Sequence, residues 1–235
     1  MKPSLLKRSA AEFTATAFLL MAVVGSGIMA ERLAAGNTAL ALLANAIATG
    51  AALLALILTF ADISGAHLNP VVTLAEASVG GMSWRDVPPY IMAQFAGAFA
   101  GVGAAHLMFG MALYTPSLHV RSGMAQAFSE FIATFGLSMV IWGCVRYRPR
   151  MVPFAVSSYI VAAYWFTAST SFANPAVTLA RSLTNTFAGI RHRDIAGFIG
   201  AQFAGAFAAV VYMRWQSPVQ ERQKTDGSTA AQTRP

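Results

Sequence analysis

Two asparagines, each followed at once by proline, are the chain's most informative polar residues. They open the stretches Asn69-Pro70-Val71-Val72-Thr73-Leu74-Ala75 and Asn174-Pro175-Ala176-Val177-Thr178-Leu179-Ala180. An asparagine amide offers two N–H donors and one carbonyl acceptor. It can cap a helix, and proline suits the first helical turn because it has no N–H to satisfy. It can equally donate to the oxygen of a passing solute. Two acids recur in the same manner, in Glu12-Phe13-Thr14-Ala15-Thr16 and Glu130-Phe131-Ile132-Ala133-Thr134. None of this is catalytic chemistry. Four scattered histidines form no site, and no nucleophile–base pair or metal-spaced cluster accompanies the asparagines. The single cysteine, Cys144, excludes an internal disulfide and a cysteine-ligated metal cluster. No catalytic residue, metal or cofactor is expected.

The elements that hold these residues form one design written twice. The octapeptide Ala-Gln-Phe-Ala-Gly-Ala-Phe-Ala stands at 93–100 and again at 201–208. Together with the Asn-Pro and Glu-Phe pairs, this gives three repeats in the same order. The first repeat is expected over 1–114 and the second over 115–215, within one domain. Residues 216–235, rich in Gln, Ser, Thr, Lys and Pro, read as a disordered tail.

Composition sets the surroundings. The chain is 56% hydrophobic and 11% charged, whereas a soluble domain carries about 25% charged residues. It is therefore read as an integral membrane protein. The net charge of +7 does not signal nucleic acid, because the basic residues fall in short segments between apolar runs. Six runs suit helical spans, near 11–30, 38–60, 88–111, 124–145, 152–168 and 194–213. The first is too long for a cleaved signal segment and reads as a retained span. Lys and Arg number eleven on the side of both termini and five on the other, where Arg32, Arg121, Arg181, Arg191 and Arg193 lie. That places both termini in the cytoplasm, in the inner (plasma) membrane.

Three spans per half invert the second copy relative to the first. The apolar stretches after Asn69 and Asn174 are too short to cross. Each reads as a half-helix, from Pro70 and from Pro175. Irregular backbone at membrane depth is tolerated only beside protein or a water-filled cavity. The links 62–68 and 168–173 should thus line a pore. The expected fold class is an all-α membrane protein with six transmembrane helices, two pore-lining half-helices and an inverted 3+3 repeat.

These elements resemble the major intrinsic proteins, the aquaporins and aquaglyceroporins. Ser64-Gly65-Ala66-His67-Leu68-Asn69-Pro70, Ala173-Asn174-Pro175-Ala176, Glu12 and Glu130 carry the resemblance. It implies a central constriction at Asn69, Pro70, Val71, Asn174, Pro175 and Ala176, and a homotetramer with one pore per subunit. It implies that Glu12 and Glu130 brace the half-helices by accepting backbone N–H groups. His67 would stand along the cytoplasmic pore or brace its loop. His106 reads as a packing residue. Gly97 with Gly101, and Gly205 with Ala209, let helices approach closely, within or between subunits.

Family members usually place arginine three residues after the second Asn, and here that residue is Val177. Spacing carries over three more filter positions, Thr49, Ala162 and Ser171. All four are small or uncharged. A wide filter without fixed charge suits glycerol, urea, arsenite and other uncharged metalloid hydroxides. The valine resembles aquaglyceroporins of bacterial arsenic-resistance operons, which implies methylated arsenicals as well. Arg181, one turn beyond Val177, is read as a vestibule cation or as a helix-end residue facing water. A water-selective channel and an ion- or proton-coupled transporter remain open as alternatives. The partners expected are small permeants and lipid, not nucleic acid.

Overall fold

The computed structural model describes residues 3–216. Where lipid supplies no hydrogen-bond partner, an apolar run must satisfy its own backbone, and helices do so within one segment. The described chain is helical accordingly, with no strand. The elements are α1 (Leu5–Leu33), α2 (Thr38–Ser64), α3 (Pro70–Ser78), α4 (Val87–Met108), α5 (Met124–Tyr147), α6 (Val152–Phe166), α7 (Pro175–Arg181) and α8 (Ile195–Gln216). The expected tail lies outside the described residues except for Gln216, which ends α8.

Local chemistry sets the ends. Ser4 accepts from the Lys7 N–H and Asn37 from the Leu40 N–H, so each caps the helix that follows. Gly65 closes α2 in the left-handed conformation, at φ 91°. Among the described residues five helices, α1, α2, α4, α5 and α8, are long and apolar enough to cross a bilayer. The sixth crossing element, α6, has only 15 residues. A 3-10 turn, Pro149–Met151, extends it. Together they cover roughly 28 Å, close to the thickness of the hydrocarbon core.

Packing repeats the sequence symmetry. In the first half α1 lies against α2 and α4; in the second α5 lies against α6 and α8. Across the halves α2 meets α6, α4 meets α7 and α3 meets α8. The repeated octapeptide explains the tightest contacts. A Cβ on Gly97 would strike the Phe13 carbonyl, and one on Gly205 would strike the Phe131 carbonyl. Gly101 lies equally close to Ala17. These glycines therefore serve contacts within the subunit. Large apolar side chains such as Leu58, Met92, Phe128 and Phe207 stay exposed on the outer surface, as lipid-facing positions should.

The chain path places the half-helices. Helix α1 begins on the face where α8 ends, here called the terminal face. The link 65–69 turns back from that side, and α3 returns to it. The link 167–174 turns back from the opposite face, and α7 returns there. The two half-helices thus start near the middle and run apart.

Candidate conduction pore

Each half-helix begins at its asparagine. The Asn69 side-chain oxygen accepts from Val71 N–H at 3.1 Å. The Asn174 oxygen accepts from Ala176 and Val177 at 3.0 and 3.3 Å. Their amide nitrogens reach across the repeat. Asn69 Nδ2 donates to the Ala173 carbonyl, and Asn174 Nδ2 donates to the Leu68 carbonyl, both at 2.7 Å. Capping and cross-bracing therefore coexist in the same side chains.

The links that deliver these asparagines are strained. Ala66, Leu68, Thr170, Ser171 and Ala173 all have positive φ, from 48° to 61°. Such conformations are costly for residues with a Cβ and need support. Buried Glu12 supplies it, accepting from Ser64 Oγ, His67 N, Leu68 N and Gln94 Nε2 at 2.7–2.9 Å. Glu130 accepts from Phe172 N, Ala173 N and Gln202 Nε2 at 2.8, 2.8 and 2.6 Å. Gln94 and Gln202 also donate to Thr73 and Thr178 of the half-helices. Both glutamines are the second residue of the repeated octapeptide. Sequence reasoning passed over them, although the duplication marked them.

A cavity of about 300 Å³ runs between the halves. Its apolar wall is built from stripes at helical spacing. Leu19 and Val23 come from α1, Thr49, Leu53 and Ile57 from α2, and Leu137, Ile141 and Val145 from α5. Helix α6 adds Val152, Val156, Ile160 and Tyr164. The rest of the lining carries residues 65–69 and 171–174, with His67, Asn69, Ser171 and Asn174 as their polar side chains, together with Val72, Glu76, Val177 and Arg181. Thr49, Ser171, Val177, His67, Asn69 and Asn174 thus share one space. Pro70, Val71, Pro175 and Ala176 are buried at the half-helix starts beside it.

Ala162 does not share that space. It is exposed on the outside of α6, about 200° around the helix from Tyr164. The count of twelve residues back from Asn174 falls off the inward stripe. Tyr164 takes the wall position instead, and its hydroxyl lies 3.2 Å from Thr49 Oγ1. Phe172 also lines the cavity. Tyr164 and Phe172 thus bring two aromatic rings to the lining, whereas the expected filter residues were all small.

Arg181 is 2% exposed and lines the cavity. Its Nε donates to the Ala188 carbonyl. The guanidinium carbon lies 3.4 Å from the centre of the Phe172 ring. A second arginine, Arg121, reaches in from the link between α4 and α5. It donates to the carbonyls of Gly189, Ser169 and Phe187 and so ties the 167–174 link to the 182–194 segment. Burial lowers its pKa to about 10, which leaves it charged at neutral pH. His67 both lines the cavity and braces its loop, with Nδ1 3.1 Å from Thr73 Oγ1. His106 is more than packing: its ring nitrogens meet the Ala112 carbonyl and Thr184 Oγ1 at 2.8 and 2.7 Å.

Known proteins resemble the chain in sequence and in fold. The chain is 50% identical over 211 residues to "Aquaglyceroporin AqpS" of Rhizobium meliloti (strain 1021), covering 90% of each. It is 34% identical over 204 residues to "Aquaporin NIP1-4" of Oryza sativa subsp. japonica, covering 84% of this chain and 72% of that one. The solved aquaglyceroporin of Plasmodium falciparum superposes with a TM-score of 0.72 at 21% identity, over 92% of this chain and 97% of the other. The pattern described as "Major intrinsic protein" matches residues 1–165. The chain belongs to the major intrinsic protein family.

Proposed function

We propose that the protein is a passive channel for small, mostly uncharged solutes, with glycerol, arsenite and other metalloid hydroxides, methylated arsenicals and water as the candidate permeants. The observation that carries this reading is the cavity itself, apolar on one side and lined by the two asparagine links on the other. Such a wall lets a polyol slide its carbons along Leu, Val and Ile while its hydroxyls find donors opposite. Each asparagine amide has committed one N–H to the other repeat. The second N–H of each is available to solute oxygen. A central water held by both is turned from its neighbours, which interrupts proton transfer along the file. The two half-helices aim their positive ends at the same point and oppose cations. Relatedness to a protein named as an aquaglyceroporin supports the solute class.

Thr49, Tyr164, Ser171 and Val177 would form the filter, with Arg181 beyond it. Both termini would be cytoplasmic in the inner membrane, as the Lys and Arg distribution favours. The subunits would assemble as homotetramers, each with its own pore.

Tyr164 and Phe172 favour a second reading, a narrower pore selective for water. Stopped-flow light scattering on proteoliposomes under a glycerol gradient separates the two. Shrinkage followed by rapid re-swelling supports solute conduction. Shrinkage without re-swelling above empty liposomes leaves the water-selective reading in its place. A proton-coupled transporter is disfavoured because Glu12 and Glu130 are already saturated with donors.

A further inference from the structure

Arg181 has fewer partners than a buried cation ordinarily has. Its relative exposure is 2%, and among the described residues its one hydrogen bond runs from Nε to the Ala188 carbonyl. The two terminal nitrogens have no acceptor among the described residues. They are not fully enclosed, and the residue lines the cavity. No carboxylate pairs with it among the described residues. The acid on the cavity wall is Glu76, on α3 at the terminal-face end, whereas Arg181 ends α7 at the other. A buried guanidinium without a counter-charge is costly unless a ligand or water supplies one.

Independent of the charge, a neutral donor stands on the same wall. Ser171 lines the cavity, and its Oγ is enclosed with no hydrogen-bond partner among the described residues, so a turn about χ1 is what would bring it to a ligand. The Phe172 ring, against the guanidinium, limits where the arginine can swing. Its two terminal nitrogens carry four N–H groups, and one from each makes the end-on fork that receives two oxygens of one anion.

We propose that Arg181, with Ser171, forms a subsite for the monoanion of a small oxyacid at the end of the pore opposite the terminal face. This rests on the channel reading above and deepens it. Anionic solutes would gather at this end, while neutral ones pass the same wall without being held.

Methanesulfonate, a permanent monoanion with three oxygens, is a suitable probe, and methanesulfonamide is its neutral counterpart. Proteoliposomes holding the full chain carry either compound on both sides, at constant ionic strength set with chloride. Glycerol re-swelling is then followed by stopped flow. Methanesulfonate should slow re-swelling saturably, at concentrations about tenfold or more below those at which the sulfonamide acts. Arg181→Gln should reduce that sensitivity about tenfold, and Ser171→Ala by a smaller factor. Equal potency of the two probes in the wild type overturns the proposal, as does unchanged sensitivity in Arg181→Gln. Should Arg181→Gln fail to insert, the wild-type pair and Ser171→Ala still decide. Should glycerol not pass at all, the solute-channel reading fails instead, and the same comparison is made on the water-shrinkage phase.

Discussion

At the residue scale, the two buried glutamates do the same work at the two ends of the repeat. Glu130 accepts from Phe172 N, Ala173 N and Gln202, and through these it holds the left-handed turn at Ala173. Glu130→Ala leaves three buried donors without an acceptor. At about 1 kcal/mol or more for each, the loss is at least about 3 kcal/mol. For a chain of this size that lowers Tm by roughly 6–12 °C. Thermal unfolding in detergent measures it, and an unchanged Tm would show that the carboxylate does not support the link. Tyr164 makes a different prediction. Its ring occupies the wall that spacing had assigned to alanine, with its hydroxyl beside Thr49. Tyr164→Ala should raise erythritol permeability relative to glycerol by several-fold, on the order of 1 kcal/mol in the barrier. A constant ratio in paired stopped-flow runs would mean that Tyr164 does not set the width.

At the element scale, the close crossings of α1 with α4 and of α5 with α8 depend on glycines that meet backbone rather than a movable side chain. Gly97 faces the Phe13 carbonyl and Gly205 the Phe131 carbonyl. Gly97→Leu and Gly205→Leu should each destabilise the fold by about 1–3 kcal/mol or more. Gly200→Leu, at a site with open space around it, should be nearly neutral. Folded yield after detergent extraction compares the three, and similar yields would remove the argument from backbone contact. These elements were largely legible in the sequence. Pro70 and Pro175 fixed the half-helix starts, because asparagine caps and proline can only begin a helix. The spans were legible because lipid demands long apolar runs. Less legible was which face of α6 turns inward. Its residues are apolar on every side, so counting back from Asn174 chose Ala162. The spacing of Val152, Val156, Ile160 and Tyr164 at every fourth residue was the better guide. The length of α6 was obscured for another reason: Thr167 leaves the helix for extended backbone, two residues earlier than hydropathy suggested. Arg121 could not be read as a clamp at all, because its side chain reaches backbone carbonyls in two distant segments of the chain, at Ser169 and at Phe187 and Gly189.

At the scale of the whole molecule, the two halves complete each other. A single apolar cluster takes Leu20 and Val102 from the first repeat and Leu137, Ile160 and Val177 from the second. At its centre each asparagine spends one N–H on a carbonyl of the opposite link. Either half expressed alone would expose the inner faces of α2, α3 and α4, or of α6, α7 and α8. Its strained link would also lose the cross-brace that the other half supplies. Burial of apolar surface drives folding in water, but in lipid the inward faces associate through packing and hydrogen bonds. The cross-braces therefore matter more than their number suggests. Separately expressed halves, cut in the 109–123 link, should insert and remain open to protease within residues 65–69 or 167–174. Co-expressed halves should regain resistance there and restore solute flux to at least about a tenth of the intact level, allowing for an association cost of several kcal/mol. Limited proteolysis of membranes, followed by mass mapping of the cut sites, reads this directly. Protection of residues 65–69 in the first half alone would mean that Glu12 suffices to hold its link. The reciprocal asparagine bonds would then serve the pore's chemistry rather than its assembly.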